Sequence, residues 1–154
     1  MARNTGKFPA VRNTTGRQRA ITGSQRILSV KRTVLVIDDS VEIARLVGKM
    51  LGKTYTVLVA EDGEEGLQRA AKELPDLVLL DLNLPKLDGW EVCRRLKADP
   101  KLKGIPVVIM TANESTPDDA ARALKLGAAE YLVKPFVREV LVHNIERILG
   151  TRSP

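Results

Sequence analysis

Cysteine, aromatic rings and long apolar runs are all scarce in this sequence, and each scarcity removes a class of protein. The chain of 154 residues holds one cysteine, Cys93, which excludes a disulfide scaffold and suits a reducing compartment. No apolar run approaches the roughly 18 residues that a spanning helix needs, so a soluble, cytoplasmic protein with no membrane partner is expected. Acidic side chains are absent from residues 1–32, which carry eight basic ones between Arg3 and Arg32. The only aromatic in that stretch is Phe8, too little for stacking on nucleic-acid bases. Its longest apolar patch, at Ile27-Leu28, is too short for a signal-peptide core.

What is present is enough for one folded domain. Hydrophobic residues make up 44 % of the chain, which excludes wholesale disorder, and the length suffices to bury a core without disulfides or metals. The formal charge of +6 is a composite: a tail of +8 precedes a body with 17 basic and 19 acidic groups. Any inference toward nucleic acid therefore belongs to the tail. Residues 1–32 show no sustained period and read as a disordered basic extension. Two other readings fit its composition, an arm that binds nucleic acid or another acidic surface and a targeting segment of the transit-peptide kind.

From Thr33 the pattern changes. Residues 34–37 (VLVI) form a short apolar run suited to a strand buried on both faces, and Asp38-Asp39-Ser40 follows it. A helical stripe then runs through Ile43, Leu46, Val47, Met50 and Leu51 and closes at Gly52. Residues 54–60 alternate like an edge strand. A helix with Leu67, Ala70, Ala71 and Leu74 inward spans 64–73, and Pro75 stops it. The run 77–80 (LVLL) is a second buried strand, ending at Asp81. Helix 90–97, strand 105–111, helix 117–126, strand 130–133 and helix 137–149 complete five β/α units. The last helix is expected to turn Val137, Val140, Leu141, Ile145 and Ile148 inward. Repeated β/α units require right-handed crossovers and a doubly wound parallel sheet with helices on both faces. Ligands of such sheets lie beyond the carboxyl ends of the strands, where strand order reverses.

The polar residues of interest all fall at those ends: Asp38 and Asp39, Asp81, Thr111 and Lys134. Three carboxylates at one rim repel each other, so a cation must offset them or a pKa must rise. Lys134 is one such cation. A Mg²⁺ ion held by Asp39 and Asp81, with Asp38 in support, is another, because a hard cation takes carboxylate oxygens and keeps positions for phosphate. Asp81 then becomes a nucleophile able to form an acyl phosphate, with Lys134 and the Thr111 hydroxyl stabilising the transferred phosphoryl oxygens. Taken alone, Asp38-Asp39 would read as a helix N-cap pair and Lys134 as a solvated lysine. Cys93 reads as a small buried residue and His143 as part of a helix face.

Asp38-Asp39, Asp81 within LLDLNLPKLDGW, Thr111-Ala112 and Lys134-Pro135-Phe136 together resemble the motif set of response regulator receiver domains. The resemblance runs from about Thr33 to Gly150. It implies a flavodoxin-like fold with strand order 2-1-3-4-5, and a phosphoryl group passed to Asp81 from a sensor histidine kinase or a phosphotransfer protein. It also implies Asp38 and Asp39 as the acidic pair for Mg²⁺, and the Asn83 backbone carbonyl as a further ligand. Thr111 would be the switch hydroxyl, Tyr131 an aromatic switch that turns inward, and Pro135 the partner in a cis peptide bond after Lys134. Asn83 and Asn113 would flank the attacking water. Partners would meet the face formed by the fourth helix, fifth strand and fifth helix.

Domain boundaries at 1–32, 33–150 and 151–154 follow, and only TRSP comes after Gly150. The expectation is a stand-alone receiver of the chemotaxis-regulator type, a signalling protein that catalyses only its own phosphorylation and dephosphorylation. A haloacid dehalogenase-type hydrolase also uses Asp and Mg²⁺, but opens with Asp-x-Asp after its first strand. Asp38-Asp39-Ser40 departs from that pattern.

Overall fold

The computed structural model describes residues 30–112 and 116–150. The basic extension up to Ser29 and Asn113 both lie outside the described residues. The described elements belong to one compact unit that begins at Lys31. In chain order they are β1 (Thr33–Ile37), α1 (Val41–Leu51), β2 (Thr56–Ala60), α2 (Gly63–Glu73), β3 (Leu77–Asp81), α3 (Gly89–Ala98), β4 (Val107–Thr111), α4 (Pro117–Lys125), β5 (Glu130–Val133) and α5 (Arg138–Gly150). All strand pairs are parallel, in the order β2-β1-β3-β4-β5. The fold is flavodoxin-like. No helix among the described residues is long and apolar enough to cross a membrane.

The core has two layers, one on each side of the sheet. Leu35, Ile37, Val78, Leu80, Val107 and Ile109 face one layer, closed by Ala70 of α2, Val92, Cys93 and Leu96 of α3 and Ala123 of α4. Val34, Val36, Leu77, Leu79, Val108 and Met110 face the other, closed by Val47 and Leu51 of α1 and Leu141, Ile145 and Leu149 of α5. Alternate residues of β1, β3 and β4 thus feed opposite layers, and so these strands read as unbroken apolar runs. Central strands β3 and β4 are buried throughout, whereas edge strand β2 exposes Thr56.

Four helices start at side-chain caps: Ser40, Asp62, Asp88 and Thr116 each accept from the backbone N–H three residues on. Because each helix follows a strand of a parallel sheet, these starts gather at the carboxyl end of the sheet. Lys31 and Arg32, assigned to the tail by composition, are tied to the folded body. Lys31 Nζ donates to the Gly52 carbonyl at 3.0 Å and the Arg32 guanidinium to the Leu149 carbonyl at 3.0 Å. This leaves six cations in residues 1–30 and 19 groups of each sign from Lys31 onward.

Several apolar positions expected inside lie outside. Val137 precedes α5 and is 60 % exposed, and Val140 is exposed as well. The inward stripe of α5 is Leu141, Ile145, Ile148 and Leu149, and Val140 sits a hundred degrees or so from it. Leu46 is rotated off the α1 stripe of Val47 and Leu51 in the same way. Ala71 of α2 is exposed, as is Leu74, which ends that helix in the left-handed region at φ 47°. Strands β2 and β4 start two residues later than their apolar runs. Thr54 and Tyr55 donate back to Leu51 at the end of α1, and Pro106 has no N–H to offer a ladder.

Gly89 fixes how the β3–α3 connection returns to the sheet. Its N–H donates to the Leu82 carbonyl at 3.0 Å. A Cβ there would run into the Asp81 carbonyl oxygen and come within 2.5 Å of Leu82 Cα. Because the obstacle is backbone, Gly89→Ala is expected to cost about 3 kcal/mol. Urea unfolding should show a lower midpoint with an unchanged slope; an unchanged midpoint would contradict the close approach.

Candidate functional site

Strand order reverses between β1 and β3, because the chain steps outward from β1 to β2 and then crosses back to β3. The carboxyl ends of these two strands carry Asp38, Asp39 and Asp81, whose oxygens lie within 4.8 Å of one another. Asp38 is 1 % exposed and Asp81 4 %, while Asp39 is exposed. An all-oxygen set of this kind, partly open to water, suits a hard divalent cation.

One lysine answers the two buried carboxylates. Lys134 Nζ lies 3.0 Å from Asp38 Oδ2 and 3.4 Å from Asp81 Oδ1. Its backbone N–H donates to the Thr111 carbonyl at 2.7 Å, which sets where the side chain leaves β5. Asp38 Oδ1 accepts from the Ser40 N–H at 2.8 Å, so the residue that caps α1 also orients Asp38. Asp81 Oδ1 accepts from the Asn83 N–H at 3.3 Å. Burial and the neighbouring Asp38 carboxylate push the Asp81 carboxyl above the ordinary range, against the opposing pull of Lys134 and the Asn83 N–H.

Thr111, 6 % exposed, ends β4 beside this group. It pairs with Val133, and Ile109 pairs with Tyr131. Thr111 and Tyr131 therefore share the sheet face that α2, α3 and α4 cover, two residues apart across the strand pair. The Tyr131 hydroxyl is already buried, with no hydrogen-bond partner among the described residues. An orphaned buried hydroxyl costs about 1–3 kcal/mol. The Lys134–Pro135 peptide bond is cis. Cys93 lies in the core and His143 on the exposed side of α5, both away from the site. Ser40 and Gly89 are the contributors that motif reading misses. Ser40 was legible as a cap next to two aspartates, whereas the Gly89 contact requires the folded loop.

The raised pKa of Asp81 has a consequence for stability. Its folded-state pKa exceeds the unfolded value near 3.9, so its favourable contribution is present below that value and lost as pH rises through the folded pKa. At neutral pH the charged form is therefore a cost to the fold. In metal-free buffer, Asp81→Asn is expected to melt at a higher temperature than the wild type at neutral pH. The gain should vanish as pH falls below the ordinary carboxylate range. A variant that melts lower at neutral pH would contradict this account.

Comparison with known proteins matches residues 34–146 to the family model described as the response regulator receiver domain. The chain is 38 % identical over 121 residues to the alkaline phosphatase synthesis transcriptional regulatory protein PhoP of Bacillus subtilis, covering 78 % of this chain and 49 % of that protein. It is 43 % identical over 104 residues to the response regulator PleD of Caulobacter vibrioides, covering 67 % of this chain and 23 % of that protein. The match thus spans half or less of these two curated relatives. Among solved structures, chemotaxis protein CheY4 of Vibrio cholerae superposes with a TM-score of 0.72 at 31 % identity, covering 77 % of this chain and 99 % of CheY4. The chain belongs to the response regulator receiver domain family, the signalling modules of two-component systems.

Proposed function

We propose that Asp81 is the phosphoacceptor of this receiver and takes its phosphoryl group from a phosphohistidine of a sensor kinase or phosphotransfer protein. The observation that carries this reading is the setting of Asp81. It lies at the strand-order reversal, 4 % exposed and 3.4 Å from the Lys134 ammonium. In the transfer, the phosphohistidine N–P bond breaks as an O–P bond forms from an Asp81 carboxylate oxygen, and the imidazole leaves. Lys134 and the Asn83 N–H favour the carboxylate, the form able to attack. Asp38, Asp39, Asp81 and the Asn83 carbonyl would hold Mg²⁺, which supplies positive charge against the phosphoryl oxygens. The Lys134 ammonium, shared with Asp38 at 3.0 Å, is free to re-aim toward a phosphorylated Asp81.

Phosphorylation adds charge and acceptor oxygens at the rim. The Thr111 hydroxyl and the Lys134 ammonium respond, and the response passes to the face of α4, β5 and α5. Exposed Leu124, Val133 and Val140, one on each of these elements, support that face as the partner surface. Asn113, two residues beyond Thr111, and Asn83 would orient the water that later hydrolyses the acyl phosphate. Tyr131 senses the movement of Thr111 from the same side of the sheet. Both conformations pre-exist, and phosphorylation shifts their populations.

Incubation with acetyl phosphate and Mg²⁺ is expected to add one phosphoryl group by intact-mass measurement. The label should be lost in Asp81→Asn and when EDTA is present. Labelling of Asp81→Asn at the wild-type level would overturn the assignment. With Mg²⁺ present to replace the lost positive charge, Lys134→Ala should stay folded and accept the group more slowly, yet lose the change in amide hydrogen exchange that labelling induces across α4, β5 and α5 in the wild type. An unaltered exchange response in that variant would remove Lys134 from the switch.

A further inference from the structure

Charge is segregated along the strand axis of the body. Every helix carries an acidic residue in its first turn and a basic one in its last, and in a parallel β/α fold all the helix ends of one kind lie at one end of the sheet. The starts of the helices add their acids to the end that holds Asp38, Asp39 and Asp81. At the opposite end, Lys49, Lys72 and Lys125 lie in last turns, while Lys53, Lys101 and Lys103 lie on connecting loops. All six are exposed, and none makes an ion pair among the described residues. Arg32 joins them, its guanidinium donating to the neutral Leu149 carbonyl.

Helix-dipole complementation accounts for the last-turn lysines. It gives no reason for the loop lysines Lys53, Lys101 and Lys103. Acids are fewer at this end: Asp76 accepts from the Thr33 N–H, Asp99 from the Lys101 N–H, Glu130 pairs with Arg147, and Glu73 and Glu146 leave the cations in excess. The chain also carries six cations and no acid in the thirty residues that precede Lys31.

We propose that this basic end of the receiver binds the phosphate backbone of double-stranded nucleic acid without regard to sequence. The charge is the right sign and free of ion pairs among the described residues, and the aromatic side chain at this end, Tyr55, is buried and cannot read bases. A lipid surface would ask for a continuous apolar patch to insert, and the large exposed apolar residues in the body at this end, Leu74 and Leu124, lie on separate helices, α2 and α4. Five-residue strands separate this end from Asp81 by about 16 Å, which exceeds the Debye length of about 8 Å at physiological salt. Phosphorylation and nucleic-acid binding are therefore compatible, and the acidic end turns away from the duplex toward the kinase.

Fluorescence anisotropy of a random-sequence labelled DNA duplex with the full chain tests the proposal at several salt concentrations. Wild type should bind at low salt, with affinity falling steeply as salt rises, and acetyl phosphate labelling should change the dissociation constant by less than twofold. The variant K53Q/K101Q/K103Q should lose tenfold or more in affinity, and its log–log salt slope should drop by about three, at about one per lysine. That variant must still accept phosphoryl from acetyl phosphate, which shows that its fold is intact. A second variant, R12Q/R17Q/R19Q, measures what the preceding cations add. Absence of duplex binding by wild type at low salt would overturn the proposal. So would wild-type affinity in K53Q/K101Q/K103Q, whatever the second variant shows, or binding to phosphatidylserine vesicles without binding to duplex.

Discussion

The sharing of one ammonium group between two buried carboxylates governs the rest of this molecule. Asp38 and Asp81 lie at the ends of adjacent strands, and burying both without a counter-charge would cost several kcal/mol. Lys134 meets both, from a residue 96 positions away from Asp38. For that to happen β5 must sit at the correct edge, in the register that pairs Thr111 with Val133. The Lys134 N–H then bonds to Thr111, and the lysine chain leads back over β4 to the reversal point. A slip of one residue in any of three strand pairs would strand a carboxylate. The unbroken apolar runs of β1, β3 and β4, buried on both faces, are what make such a slip expensive.

The charge balance at this rim is incomplete, and the imbalance is informative. Asp81 is held above the ordinary carboxylate range even with Lys134 beside it, because burial and Asp38 outweigh the lysine. A group that is costly when charged and alone responds strongly to an added cation or phosphoryl group. The Tyr131 hydroxyl, buried without a partner on the face it shares with Thr111, is a second unmet demand close to the first. Asp81 ends β3, and Tyr131 lies two residues before the end of β5, on the side of the sheet that Thr111 shares. These two unmet demands sit beside the residues proposed to switch.

The fold and the main site residues were legible because they depend on local pattern. An apolar run that stops at a carboxylate marks both a strand and its functional end, as at Ile37-Asp38 and Leu80-Asp81. The exposure of Val137 and Val140 was not legible, since apolar residues at helical spacing look alike whether they face a core or a partner. Nor was the anchoring of Lys31 and Arg32, whose acceptors are carbonyls at the ends of α1 and α5. Composition alone grouped these two with the tail. Carbonyl acceptors leave no mark in a sequence, and neither does the pairing of the Asn83 N–H with Asp81, which depends on a loop conformation.

Charge shows the same limit on a larger scale. From Lys31 onward the body carries 19 groups of each sign, so its net charge is silent about any polyanion partner. The parallel topology turns a stability device into a field. Each helix complements its own dipole, acid first and base last, and in an antiparallel bundle those contributions would cancel. Here all five helices run the same way relative to the sheet, so they add, and the loop lysines deepen one end of the result. A protein neutral in sum is thereby acidic where a metal and a phosphoryl donor are proposed to dock and basic where nothing in that chemistry requires it. Topology, more than composition, decides what such a body attracts.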